Sequence, residues 1–280
     1  MRAAAGGSPA RPLPGLLPWR VQRSLRGLGE RAARPNPRAV VVFGNQKSGT
    51  SAVAGLLARL SGASVTLDLE PEWRDPSYQR VWRGELSFRA FVRRNARGLS
   101  RDIVKEPNLL LLWPQLLGRF PGMRKVLVVR DPRDNLRSIL DRLGLPGDRE
   151  ALSREERAAN GRGWELYLSG DWLGLGGCAH TEVMAWRWNL GARFWAANRA
   201  DTVLVRYEDF LADKEGVLRR TAEALGLAAV NPVADLLDRP FQPSGRPGRS
   251  WLEVFGPANL GRIEALCADG MRELGYEPTV

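Results

Sequence analysis

This 280-residue chain has little cysteine and almost no histidine: Cys178, Cys267 and His180 are all it holds of either. Two cysteines cannot form a disulfide framework, and with one histidine they give no cluster of metal-ligand spacing. A reducing, cytoplasmic setting and no bound metal are therefore expected. No run approaches the ~18 apolar residues that cross a bilayer, and the N-terminus lacks the apolar core of a secretory signal. Acids are also in deficit, with 31 Asp and Glu against 42 Lys and Arg and a net charge of +11. That excess invites a nucleic-acid partner, but its distribution argues against one. Arg2, Arg11, Arg20, Arg23, Arg26, Arg31, Arg34 and Arg38 face a single acid, Glu30, before the first apolar run. Residues 1–37 read as a basic, disordered arm rich in Pro, Ala, Gly and Arg. A short basic amphipathic helix around Trp19–Leu28, touching a membrane surface or a partner weakly, is the alternative.

What is present is organised around Val40-Val41-Val42-Phe43-Gly44-Asn45-Gln46-Lys47-Ser48-Gly49-Thr50-Ser51. Four apolar residues in a row predict a parallel strand covered on both faces. A loop with two glycines follows, and Ala52–Leu60 reads as a helix. Strand, glycine loop and helix aim backbone N–H groups and a helix N-terminus at a phosphate or sulfate. Gly44 and Gly49 have the spacing of a nucleotide-hydrolase P-loop, but Thr50 stands where that motif requires lysine, and the lysine has moved into the loop as Lys47.

Further strands are predicted at 63–69, 101–104, 125–129 and 202–205, each ending in charge, with helices between them. This pattern gives an α/β fold, a three-layer arrangement of a mainly parallel sheet flanked by helices, over residues 38–280 as one domain. In such a sheet the ligand crevice lies at the carboxyl ends of the strands. Glu70 and Glu72 then arrive there in an acidic loop, Lys105 and Glu106 at the next strand tip, and Arg130 before a helix carrying Ser138. A guanidinium and that hydroxyl suit a second anion. Residues 144–177 read as an irregular excursion. A long helix opens at Thr181, with His180 capping it or facing solvent, and a closing helix begins at Pro257.

In combination these motifs resemble the sulfotransferases that use 3′-phosphoadenosine 5′-phosphosulfate (PAPS), over about Arg38 to Tyr276. Gln46-Lys47-Ser48-Gly49-Thr50-Ser51 is similar to that family's phosphosulfate loop. Arg130 with Ser138, eight apart after a strand, resembles its 3′-phosphate motif, and Val205-Arg206-Tyr207-Glu208-Asp209 the segment whose tyrosine borders the adenine. The loop from Arg246 through Gly248 and Arg249 to Trp251 resembles its last 3′-phosphate loop. Gln46 departs from the usual proline, and Ser51-Ala52 from threonine-tryptophan. Lys105-Glu106-Pro107-Asn108 stands where the small-molecule members place a catalytic histidine. That likens the chain to the glycan- or protein-modifying members, whose base is a glutamate after the second strand; those usually carry a membrane anchor, so a soluble bacterial member is expected.

The resemblance implies transfer of a sulfuryl group from PAPS to a hydroxyl or amine of an acceptor (a sugar, lipid, small molecule or protein), leaving adenosine 3′,5′-bisphosphate (PAP). It assigns Lys47 to the bridging oxygen of the leaving phosphate, and Arg130, Ser138 and one or both of Arg246 and Arg249 to the 3′-phosphate. The base is left among Glu72 and Glu70, level, then Glu106, then His180. Two rival classes stay open. A P-loop kinase or NTPase would need lysine after Gly49 and a magnesium-binding aspartate, for which Asp131 is the one tolerable candidate. A catalytically silent PAPS-binding module would not depend on a nearby carboxylate.

Overall fold

The computed structural model describes residues 33–239 and 249–279. Five strands form one sheet in the order β2-β3-β1-β4-β5, every pairing parallel. Strand β1 (Val40–Phe43) lies at the centre, and all four of its side chains are fully buried. That is why an unbroken apolar run, rather than an alternating one, encodes it; each such side chain contributes about 1.5–3 kcal/mol on burial. Helix α1 (Thr50–Ser61) leads from it to β2 (Val65–Thr66), which is only two residues long. The expected strand at 63–69 stops early because Glu70-Pro71-Glu72 begins helix α2 (Glu70–Arg74), with Pro71 at its start where no N–H is needed.

Helices α3 (Tyr78–Trp82), α4 (Phe88–Arg94) and α5 (Ala96–Leu99) return the chain to β3 (Ile103–Lys105). The leucine-rich stretch after it is a 3₁₀ turn (Pro107–Leu111) followed by α6 (Trp113–Arg119). Strand β4 (Arg124–Val129) leads to α7 (Pro132–Leu143), capped by Asp131, whose carboxylate accepts from the Arg133 N–H. Residues 144–177, expected to be irregular, contain α8 (Arg154–Ala158) and α9 (Arg162–Leu168). The long α10 (His180–Asn198) then delivers β5 (Thr202–Arg206), followed by α11 (Tyr207–Ala212) and α12 (Lys214–Ala224).

The closing helix α13 (Trp251–Glu273) starts earlier than Pro257, at a Ser250–Glu253 capping box. It breaks at Gly256 (φ 66°) and restarts at Pro257. Right-handed crossovers put α1 on one face of the sheet and the α7–α10 connection on the other. Accordingly α1 packs with α12, while α7, α10 and α13 pack together. Among the described residues no helix is long and apolar enough to cross a membrane. Pro35–Val280 groups as one unit; the basic arm at 1–37 lies almost wholly outside the described residues, as do Arg246 and Gly248.

Candidate active site

With all five strands parallel, the segments after β1, β2, β3, β4 and β5 meet at one edge of the sheet. They enclose a cavity of 840 Å³ lined by Gln46, Lys47, Gly49, Thr50 and Ser51, by Asp68 and Glu72, by Lys105, Glu106 and Asn108, by Arg130 and Ser138, and by Tyr207. Arg137, Arg142, Arg162, Lys214 and Arg239 add to its walls, with Asp141 and Asp238 as further acids. Eight cations against five acids give the lining a net positive charge.

The loop after β1 is shaped by backbone conformation. Lys47 has φ 65° and is the one non-glycine residue with positive φ among the described residues. Gly49 (φ 89°) is the N-cap of α1 and supplies no side-chain cap, so the first amides of the helix are left to an outside acceptor. A Cβ at Gly49 would lie 2.4 Å from the Tyr207 ring, and one at Gly44 2.4 Å from the Val128 carbonyl oxygen. The loop is pinned from below by the fully buried Asn135 of α7. Its amide donates to the Gln46 carbonyl (2.8 Å) and the Ser48 hydroxyl (3.0 Å) and accepts from the Asn45 amide (2.8 Å). The Tyr167 hydroxyl donates to Asn45 Oδ1 at 3.1 Å, and burial pushes that phenol up to about 12. Neither Asn135 nor Tyr167 carries a signal in the sequence: only the fold brings them under the loop.

Burial, and then the charges of Arg142 and Arg130, hold the Lys47 ammonium below the ordinary lysine range. Arg130 donates to the Lys47 carbonyl (3.3 Å) and lies over the Tyr207 ring (4.9 Å). Its own carbonyl accepts from Trp188 Nε1 at 2.9 Å. Ser138 stands two turns into α7 on the same cavity wall. Arg249 lies beside this wall, paired with Asp141 at 2.8 Å, its carbonyl accepting from Arg137 at 2.7 Å. Asp131, the candidate magnesium ligand of the NTPase reading, has both oxygens bonded to Arg133 (2.9 and 2.6 Å).

The acids sort differently from the sequence expectation. Glu72 is buried and its carboxylate is saturated: it accepts from Ser77 N (2.6 Å), Ser77 Oγ (2.7 Å), Tyr78 N (3.2 Å) and Asn95 Nδ2 (3.0 Å). It ties α2 to α3 and α4. Glu70 is half-exposed, pairs with Arg74 at 3.0 Å and does not line the cavity. His180 is buried, not at the surface, with Nε2 on the Pro146 carbonyl (2.9 Å); burial lowers its pKa.

Asp68, which the sequence reading passed over as the tail of a strand, also lines the cavity. Its Oδ1 accepts from Lys105 Nζ at 2.7 Å, and its side chain keeps 35% exposure while Lys105 keeps 4%. Burial raises its pKa, against the pull of Lys105. Beside it, Glu106 accepts from Leu69 N (3.1 Å), Asn108 N (3.0 Å) and Asn108 Nδ2 (2.9 Å). Burial first and the Asp68 charge second raise it to about 7. Two neighbouring carboxylates sharing one lysine titrate as a pair, one member holding its proton near neutral pH.

No family model matches the sequence, and no curated protein matches it. Solved structures do match the fold. Sulfotransferase STF9 from Mycobacterium avium is 14% identical, with 86% of this chain and 77% of that one covered and a TM-score of 0.53. Sulfotransferase STF1 from Mycobacterium tuberculosis is 14% identical, covering 85% and 77%, with a TM-score of 0.51. Mouse sulfotransferase SULT7A1 complexed with PAP is 17% identical, covering 87% and 88%, with a TM-score of 0.50.

Proposed function

Because the chain has the sulfotransferase fold, we propose that it is a PAPS-dependent sulfotransferase that moves a sulfuryl group to a hydroxyl or amine and leaves PAP. One observation carries the reading. One cationic cavity is lined both by the uncapped start of α1, Lys47, Arg130, Ser138 and Tyr207 and by the Asp68–Lys105–Glu106 cluster. The Gly49 hollow against Tyr207 supports an anion held close to the backbone, and the PAP bound by mouse SULT7A1 supports its identity.

When bound, PAPS supplies a sulfuryl group on a phosphate leaving group. The loop amides and Lys47 stabilise charge that grows on the leaving oxygen. Arg130, Ser138 and one or both of Arg246 and Arg249 would bind the 3′-phosphate, and Tyr207 would border the adenine. Sulfuryl transfer, like phosphoryl transfer, has a loose transition state, so positioning and charge stabilisation carry most of the catalysis. The sulfuryl group carries less charge than a phosphoryl, so this reading needs no metal. Asp68 takes the acceptor's proton at the carboxylate oxygen that Lys105 does not hold; burial raises its basicity, and Glu106 titrates with it as a pair. The scarcity of cysteine supports a cytoplasmic setting.

The test is incubation with labelled PAPS and a panel of alcohols, sugars, lipids and phenols, with and without chelator. Labelled product in the presence of chelator is expected. Magnesium-dependent binding of ATP tighter than that of PAP would favour the NTPase class. PAP binding with no transfer to any acceptor would leave a silent binding module.

A further inference from the structure

Behind the cavity lies a buried charge that the mechanism above does not use. Arg187 of α10 is 2% exposed, yet among the described residues it has no carboxylate partner. Its Nη2 donates to Asn108 Oδ1 at 2.8 Å, while Nε and Nη1 have no hydrogen-bond partner. Its guanidinium lies over the Tyr167 ring at 4.4 Å and near Trp172 at 5.9 Å. A buried cation without a counter-ion is costly, and aromatic faces offset only part of that. The nearest compensation runs through Asn108, whose amide is fixed end to end. Oδ1 accepts from Arg187 and from Gln46 Nε2 (3.3 Å), and Nδ2 donates to Glu106 Oε1 (2.9 Å). The same guanidinium stacks on Tyr167, which bonds Asn45.

We propose that Arg187, acting through Asn108, is a positioning residue that couples the anion-binding loop at Gln46 to the carboxylate Glu106. Ionised Glu106 and Arg187 neutralise each other across the Asn108 amide, and Gln46 shares the acceptor atom that orients that amide. An occupied loop draws Gln46 toward the anion, and Asn108 transmits the change to Glu106. Arg187 touches neither substrate. The idea rests on the sulfotransferase reading for what fills the loop, but not for the charge coupling itself.

The experiment follows the Glu106 carboxyl by carbon-13 NMR in glutamate-labelled protein, with and without saturating PAP, alongside the pH–rate profile for transfer. Asn108→Ala, at a half-exposed position outside the core, keeps the backbone bond to Glu106 but removes the bridge. Arg187→Gln removes the charge, and Arg187→Lys restores it without the planar fork. In Asn108→Ala and Arg187→Gln the Glu106 midpoint should move up by about one pH unit, and its response to PAP should vanish in Asn108→Ala. Turnover below the midpoint should then fall about tenfold and recover at higher pH, while Arg187→Lys restores part of the midpoint. If Arg187→Gln fails to fold, Asn108→Ala alone decides. Unchanged midpoints and an unchanged PAP response in Asn108→Ala would overturn the coupling while leaving the sulfotransferase reading intact. A parent that neither binds PAP nor transfers sulfuryl would overturn that reading and the loop half of this one; an unmoved midpoint in Arg187→Gln would sink the charge half separately.

Discussion

Lys47 carries two burdens in one residue: a left-handed backbone, which costs a residue with a Cβ roughly 1 kcal/mol relative to glycine, and an ammonium held among arginines. Lys47→Ala should cut turnover about 10²- to 10³-fold, the scale of losing one transition-state donor, with a smaller effect on PAP affinity. Lys47→Gly should lose the same turnover yet unfold at or above the parent's temperature, because it relieves the backbone. Steady-state kinetics, calorimetry and thermal unfolding separate the two burdens. Near-normal turnover in either variant would mean that the loop only holds the anion. Arg130 makes a sharper ligand test. A guanidinium–phosphate bond is worth about 1.5–3 kcal/mol, so Arg130→Ala should bind PAPS roughly ten- to a hundredfold more weakly. Adenosine 5′-phosphosulfate, which lacks the 3′-phosphate, should bind the parent poorly and lose little more in the variant. Equal affinity of the parent for both ligands would make Arg130 a scaffold for Lys47 and Tyr207 only.

The loop and α1 form one element, joined at Gly49. Any side chain there meets the Tyr207 ring at 2.4 Å and a φ of 89° that L-residues rarely adopt. Gly49→Ala should lower the unfolding temperature and weaken PAP binding at least tenfold. If only stability falls and calorimetry finds normal PAP affinity, the anion does not sit on this helix start. This element was legible in the sequence because its apolar run, glycine spacing and displaced lysine are local signals. The acids were not. Glu70 and Glu72 have the look of a strand-end loop, but Pro71 lets them start a helix, and Ser77, Tyr78 and Asn95 then claim Glu72. Asp68 reads as the end of a strand until β2 stops at Thr66 and leaves it facing Lys105. Asn135 and Arg187, and Asn108 in its bonds to Gln46 and Arg187, make contacts 60 or more residues apart in sequence, a separation at which no periodicity helps.

At the scale of the whole molecule, the raised acid sets stability and activity against each other. In the unfolded chain Glu106 ionises as an ordinary glutamate; in the fold it holds its proton up to about 7. A raised folded pKa contributes stability that is fully present below the unfolded value and is lost as pH rises through the folded one. Each tenfold change in proton affinity is worth about 1.4 kcal/mol, so the cost between pH 5 and pH 8 is measurable. Over the same interval the pair becomes competent to take a proton, so transfer should speed up while the fold weakens. His180 acts oppositely at the acid end: its lowered pKa costs stability as pH falls below its ordinary value. Comparing the parent with Glu106→Gln at each pH removes the histidine from the difference. The fixed cost of turning the new amide NH2 toward either Leu69 N or Asn108 N is a constant offset, which drops out of the change of that difference with pH. The variant should gain stability relative to the parent as pH rises from 5 to 8, measured by thermal or denaturant unfolding, and its transfer rate should lose the rise through pH 7. Parallel stability curves for the two proteins would mean that Glu106 ionises in the fold as it does in water, and the rise in rate would then have to come from another group.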